Sequence, residues 1–214
     1  MFHVGVCLWN PRISQEFRYT GTYAKDAVDI IVTMFNFVTN SKLKFRFDNW
    51  VEAKEVKSKK NIIGWYLPRL PKQKSLSPGN KLNRAWKRVG KFFPNVRTSF
   101  YHRLTLKDYQ NCIDTAGDDA FFYAYRVVED IRRAATQHLP VGTKEKDQWD
   151  EMHKILGTSK SRIDPLTEVS TDVRHGDINS PKMVAARENR EQIINIAIDI
   201  MRREFRRSFK GLIR

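Results

Sequence analysis

Between Asp118 and the C-terminus, the apolar residues of this 214-residue chain return every three or four positions. The rhythm is interrupted at a few places where helix-stopping residues stand. That period constrains the fold more than any other feature. Residues 118–138 place Phe121, Tyr125, Val128 and Ala135 along one stripe, widened by Phe122 and Ile131. They open on Asp118-Asp119 and close on Arg132-Arg133, the polarity that the helix macrodipole favours. Leu139-Pro140 and Gly142 then stop the helix. A second helix is predicted over 144–156, with Trp149, Met152 and Leu156 inward. A third is predicted over 165–174, with Leu166, Val169 and Val173 inward. The fourth begins at Ser180 as N-cap with Pro181 at the first helical position, and runs to 209. Its stripe is Ile193, Ala197, Ile200, Met201 and Phe205. Short connections favour antiparallel neighbours, so 118–214 reads as a four-helix bundle.

The first half has a different texture. Residues 2–9 and 62–67 read as short apolar strands, and 43–48 alternates as a half-exposed strand does. Residues 23–39 carry Ala27, Ile30, Ile31, Met34, Phe35 and Val38 at helical steps. Together these predict a small α/β unit over 1–70. Residues 71–117 form a basic loop and helix connector: prolines and Gly79 crowd its start, and a short basic helix is expected over 81–93. The expected class is therefore α+β, an N-terminal α/β unit (1–70) followed by a helical bundle (118–214).

The charge is concentrated. The chain carries +15 at neutral pH, and residues 54–107 hold 15 Lys/Arg against the single acid Glu55. The remainder holds 24 Lys/Arg against 23 Asp/Glu. Clustered cations gain from counterion release on a polyanion, so this block predicts nucleic-acid binding, with a merely solubilising surface as the alternative. The expected contacts are Lys57, Lys59, Lys60, Lys72, Lys74, Lys87, Arg88 and Lys91. Trp65, Tyr66, Trp86, Phe92, Phe93, Phe100 and Tyr101 are set among the cations. Each would stack on unpaired bases if exposed or pack in the core if not, with Trp86 and Phe100 assigned to the core. A second basic cluster closes the chain and adds Arg203 and Arg207 as candidate contacts; a solvated helix end explains it equally well.

Other classes find no support. Cys7 and Cys112 cannot build a disulfide framework, no Cys/His cluster has ligand spacing, and no metal or cofactor is expected. No phosphate-binding loop, dinucleotide glycine pattern or nucleophile elbow is present. With neither a signal peptide nor a membrane span in the sequence, a cytoplasmic location away from the membrane is expected.

One stretch carries chemistry-bearing residues at an element boundary: Asp172-Val173-Arg174-His175-Gly176-Asp177. The bundle, with Arg174-His175-Gly176-Asp177 before its last helix, resembles the HEPN superfamily. In that family an Arg and a His, four to six residues apart, lie at the end of the third helix, often with a small residue after the His. Active members are metal-independent ribonucleases that work as dimers. The resemblance implies His175 as acid or base, Arg174 as phosphate clamp, and a homodimer. Here the Arg adjoins the His, and the positions that would carry the family's Arg hold Glu168, Val169 and Ser170. Adjacent helical residues diverge by about 100°. Arg97/His102 and Arg133/His138 also match the spacing, at a frequency chance would give. Three readings stay open for Arg174-His175: catalysis, binding, or a plain helix cap with Gly176 in the left-handed turn. The functional expectation is a protein that binds nucleic acid, RNA in preference to DNA, with a metal-independent endoribonuclease as its enzymatic form. The alternatives are a non-catalytic protein-interaction module and a DNA-binding accessory protein of a mobile element or virus.

Overall fold

The computed structural model describes residues 29–40 and 80–213. These form eight helices: α1 (29–39), α2 (Asn80–Thr98), α3 (Phe100–Asp114), α4 (Asp119–Ala135), α5 (Glu145–Leu156), α6 (Lys160–His175), α7 (Pro181–Glu188) and α8 (Arg190–Ser208). Among the described residues β structure is confined to an isolated bridge between Lys210 and Ile213. Among the described residues the α+β expectation is thereby corrected to an all-helical fold. The strands expected over 2–9, 43–48 and 62–67 lie outside the described residues. The described part of the supposed α/β unit is helix α1, and it packs on the bundle.

α4 is the central element. Its buried residues (among them Phe121, Ala124, Val128, Ile131 and Ala135) run round much of the helix, as befits a helix covered on several sides. It packs against α3, α5, α6 and α8. A single core spans α1 to α6 and α8, running across residue 117 without a break. Phe37 of α1 meets Tyr109 of α3 edge-on at 5.6 Å and Phe205 of α8 at 5.2 Å. Thr33 donates to Gln110 Oε1 at 3.1 Å, tying α1 to α3 a second time. Burying one such aromatic side chain contributes roughly 1.5–3 kcal/mol. Truncating Phe205, which has no exposed surface, would also leave a cavity, for a total cost of about 3–5 kcal/mol.

Other boundaries moved for local reasons. The helix expected over 180–209 is two helices, divided at Asn189, whose backbone departs from helical dihedrals (φ −108°, ψ 26°) while its N–H and its side-chain amide both reach the carbonyl of Ala185. Arg190 then donates to the carbonyls of Thr115 and Gly117, anchoring the start of α8 to the α3–α4 turn. α6 begins at Lys160, ahead of the expected start at Pro165. Pro165 leaves the carbonyl of Ser161 without its helical donor, and Ser161 is exposed, so water can replace it. α2 continues past the expected end at 93 to Thr98. α3 was not expected at all. No described helix is long and apolar enough to cross a membrane.

Candidate nucleic-acid interface

The Arg174-His175-Gly176-Asp177 stretch forms the end of α6. Gly176 sits at φ 74°, in the left-handed region. Its N–H reaches the carbonyl of Val173 at 3.2 Å, and the N–H of Asp177 reaches that of Asp172 at 2.9 Å. These two bonds are the Schellman pattern that satisfies orphan carbonyls at a helix end. Ser180 then donates its hydroxyl to Asp172 at 2.6 Å and accepts from the N–H of Met183 at 3.1 Å, capping α7. Arg174 lays its guanidinium over the Tyr125 ring of α4 at 5.7 Å and donates to Thr171. His175 is exposed at the helix end. The turn thus reads as a cap, with its Arg engaged on a neighbouring ring.

The other Arg/His pairs are also drawn apart. Arg97 is exposed, whereas His102 is buried. Arg133 donates to Asp130, and His138 stands 3.5 Å from Glu151. Burial pushes the Cys112 thiol up to about 12, which removes it as a nucleophile near neutrality.

The candidate cations divide. Lys57, Lys59, Lys60, Lys72 and Lys74 lie outside the described residues. Lys87 and Lys91 are exposed on α2, while Arg88 is half-buried with its Nε lacking a partner. Arg203 is structural: it donates to the carbonyls of Leu156 and Gly157, closing the end of α5, and to Asp199. Arg207 forks onto Glu204 at 2.8 and 2.9 Å.

That last contact leads to the clearest site. Glu204 on α8 is fully buried, and it accepts from Arg207, from Ser208 Oγ at 2.6 Å and from His102 Nε2 at 3.1 Å. The other ring nitrogen of His102 is 2.6 Å from the hydroxyl of Ser99, the residue between α2 and α3. Burial alone would raise the Glu204 carboxyl, but these hydrogen bonds outweigh it and hold the group below its ordinary range. His102 also lies edge-on between Phe205 and Phe209, at 5.2 and 4.8 Å. Phe92 of α2 meets Phe209 at 6.4 Å.

This network pins the α2–α3 corner to the end of α8, and so joins two cationic clusters distant in sequence. Lys91, Arg97, Arg103, Lys107, Arg206 and Lys210 are all exposed. Residues 84–107 and 200–213 contain one acid, Glu204, which is buried and already compensated. Phe100 stands among the cations 57% exposed, with Tyr101 edge-on at 5.3 Å. Sequence reasoning assigned Phe100 to the core. Arg97, Arg103, Lys107, Arg206 and Lys210 are not among the contacts expected from sequence, although Phe100, Arg103 and Lys107 share a helix face at steps of three and four.

No curated protein and no solved structure matches the chain. Residues 90–208, from the second half of α2 to the end of α8, match the family described as the C-terminal domain of the domain of unknown function DUF8168. The chain belongs to that family, and the match takes in α3, α8 and the Ser99–His102–Glu204 network that joins them.

Proposed function

We propose that the chain binds single-stranded RNA at the corner between α2 and α3, as a cytoplasmic protein with a HEPN-like bundle. The observation that carries this reading is Phe100. An aromatic ring more than half exposed, within a surface of cations, offers a stacking platform for a base while the cations track the phosphates. Arg97, Arg103 and Lys107 line the corner itself, and Arg206 and Lys210 extend it along α8. A duplex keeps its bases stacked inside, so the ring favours an unpaired strand. Catalysis is not part of the proposal, because Arg174 lies over Tyr125 and donates to Thr171 while His175 stands at the capped end of α6.

Fluorescence anisotropy with a short labelled oligoribonucleotide tests it. For about six phosphate contacts, affinity falls by on the order of a thousandfold between 50 and 300 mM salt. Phe100→Ala weakens binding by roughly tenfold to a hundredfold and leaves the thermal midpoint in place. A flat salt response defeats the electrostatic claim, and a stable protein complex without RNA affinity favours the interaction-module alternative. If salt dependence is steep but Phe100→Ala is silent, the cations bind RNA without a stacking platform.

A further inference from the structure

A second feature lies on the opposite side of α8 from its buried residues Ala197, Ile200, Met201 and Glu204. A cleft of about 460 Å³ opens there between the end of α1, the first turn of α6 and the outer face of α8. It is lined by Asn40, Arg162, Gln192, Asn195, Ile196, Asp199 and Arg202. The cleft is shallow and open to solvent, so a ligand there would keep one side in water. The lining is unusual for a ligand pocket, because Ile196 is its one apolar residue.

Part of the polar lining is unpaired, and Arg162 and Asp199 are joined to each other. Among the described residues, Asn40, Gln192 and Asn195 make no side-chain hydrogen bond, and Arg202 makes no ion pair. Asp199 Oδ2 accepts from Arg162 at 2.8 Å and from Arg203 at 3.1 Å, which fixes both guanidinium groups and leaves Oδ1 open. Asn40 holds φ 54°, a left-handed conformation that asparagine tolerates, and this ends α1 with its carboxamide at the cleft. The α8 contributors fall at 192, 195, 196, 199 and 202, steps that keep them on one face.

We propose that this cleft holds one nucleoside phosphate. Guanidinium groups match phosphate oxygens, and their planes also stack on bases. Three carboxamides, each carrying donors and an acceptor, match the edge of a base. The open Asp199 oxygen accepts from a ribose hydroxyl. An aliphatic or lipid ligand would leave the carboxamides and Arg202 without partners. The unit is either a free nucleotide or one residue of an RNA strand. The site does not depend on the Phe100 surface, so it stands if that reading fails.

Isothermal titration of the full chain with AMP, GMP, CMP, UMP, adenosine and inorganic phosphate tests the assignment. At least one mononucleotide is expected to bind ten times more tightly than adenosine or phosphate. Arg202→Ala and Asn195→Ala should each weaken it by about tenfold, the effect of losing one charge-assisted contact. Phe100→Ala should leave it unchanged. Because Arg202 has no ion pair to lose and Asn195 is exposed, both variants should keep their thermal midpoints; if Arg202→Ala unfolds, Asn195→Ala and Gln192→Ala carry the test. A short oligoribonucleotide separates the sources: sensitivity to Arg202→Ala with the oligonucleotide alone assigns the cleft to a residue within RNA. The proposal is overturned if no ligand binds at millimolar concentration, if inorganic phosphate binds as tightly as the nucleotides, or if the cleft variants change nothing.

Discussion

Three carboxylates are buried among the described residues, Asp108, Asp130 and Glu204, and the last two are treated in opposite ways. Glu204 has no exposed surface and receives three partners, His102, Arg207 and Ser208. Asp130 on α4 is 2% exposed and receives one long bond from Arg133 at 3.4 Å, while its Oδ2 has no partner. Burial, reinforced by the charge of neighbouring Asp108, pushes the Asp130 carboxyl up to about 6, against the pull of Arg133 and Arg126. The Glu204 carboxyl is held low. Depth is nearly equal, so the difference lies in how many donors reach each carboxylate. A satisfied buried charge ties elements together, whereas a half-satisfied one costs stability whenever it ionises.

The sharpest way to break this contrast is Glu204→Ala. Removing the acid strands His102 and Arg207 and unties α3 from α8, so a loss of about 3–5 kcal/mol is expected in urea denaturation. The midpoint should fall with little change in slope. A loss below about 1 kcal/mol would show that the network is ornamental. Because its folded value is depressed, the Glu204 contribution is present above the unfolded carboxyl value and is lost as pH falls through the lower folded one.

Asp130→Asn probes the other side. A raised folded value means that the native state holds its proton more tightly than the unfolded chain does. The contribution of Asp130 is therefore fully present below its ordinary value of 3.8 and is lost as pH rises through about 6. An asparagine never ionises and can still accept from Arg133. The variant should match the parent near pH 4, gain on it through pH 6, and stay ahead by roughly 1–3 kcal/mol above that. Stability curves for the two proteins that run parallel from pH 4 to 8 would show that Asp130 carries no such penalty.

How much of this was legible in the sequence follows the same division between apolar and polar contacts. α4, α5 and the core face of α8 were visible, because Phe121, Tyr125, Val128, Met152, Ile200 and Phe205 repeat at helical steps and are buried as that repeat requires. α3 was invisible, because its buried face alternates Leu106, Tyr109 and Cys112 with His102, Thr105 and Asp108. His102 and Asp108 are satisfied by partners far along the chain, Glu204 and Arg126, whereas Thr105 donates to the carbonyl of Tyr101 one turn back. No local pattern announces such partners. The corner at Phe100 was hidden by the same cause, because Arg206 and Lys210 join it only once His102 finds Glu204. Arg203 misled in the opposite direction: its charge suggested a ligand, and its real partners are the carbonyls of Leu156 and Gly157.

The smallest effect concerns the end of α6, where sequence alone suggested chemistry. If the turn is a cap, backbone geometry should matter there and the imidazole should not. A Cβ at Gly176 meets nothing within 4 Å, so any cost of Gly176→Ala comes from holding a side-chain-bearing residue at φ 74°. That strain is about 1 kcal/mol. His175 is exposed, so His175→Ala should stay within about 0.5 kcal/mol of the parent and leave RNA affinity intact. The two thermal midpoints together decide the matter, since a cap predicts that the glycine variant melts lower and the histidine variant does not. RNA binding that fell with His175→Ala would reverse that order of importance and return the turn to the functional surface.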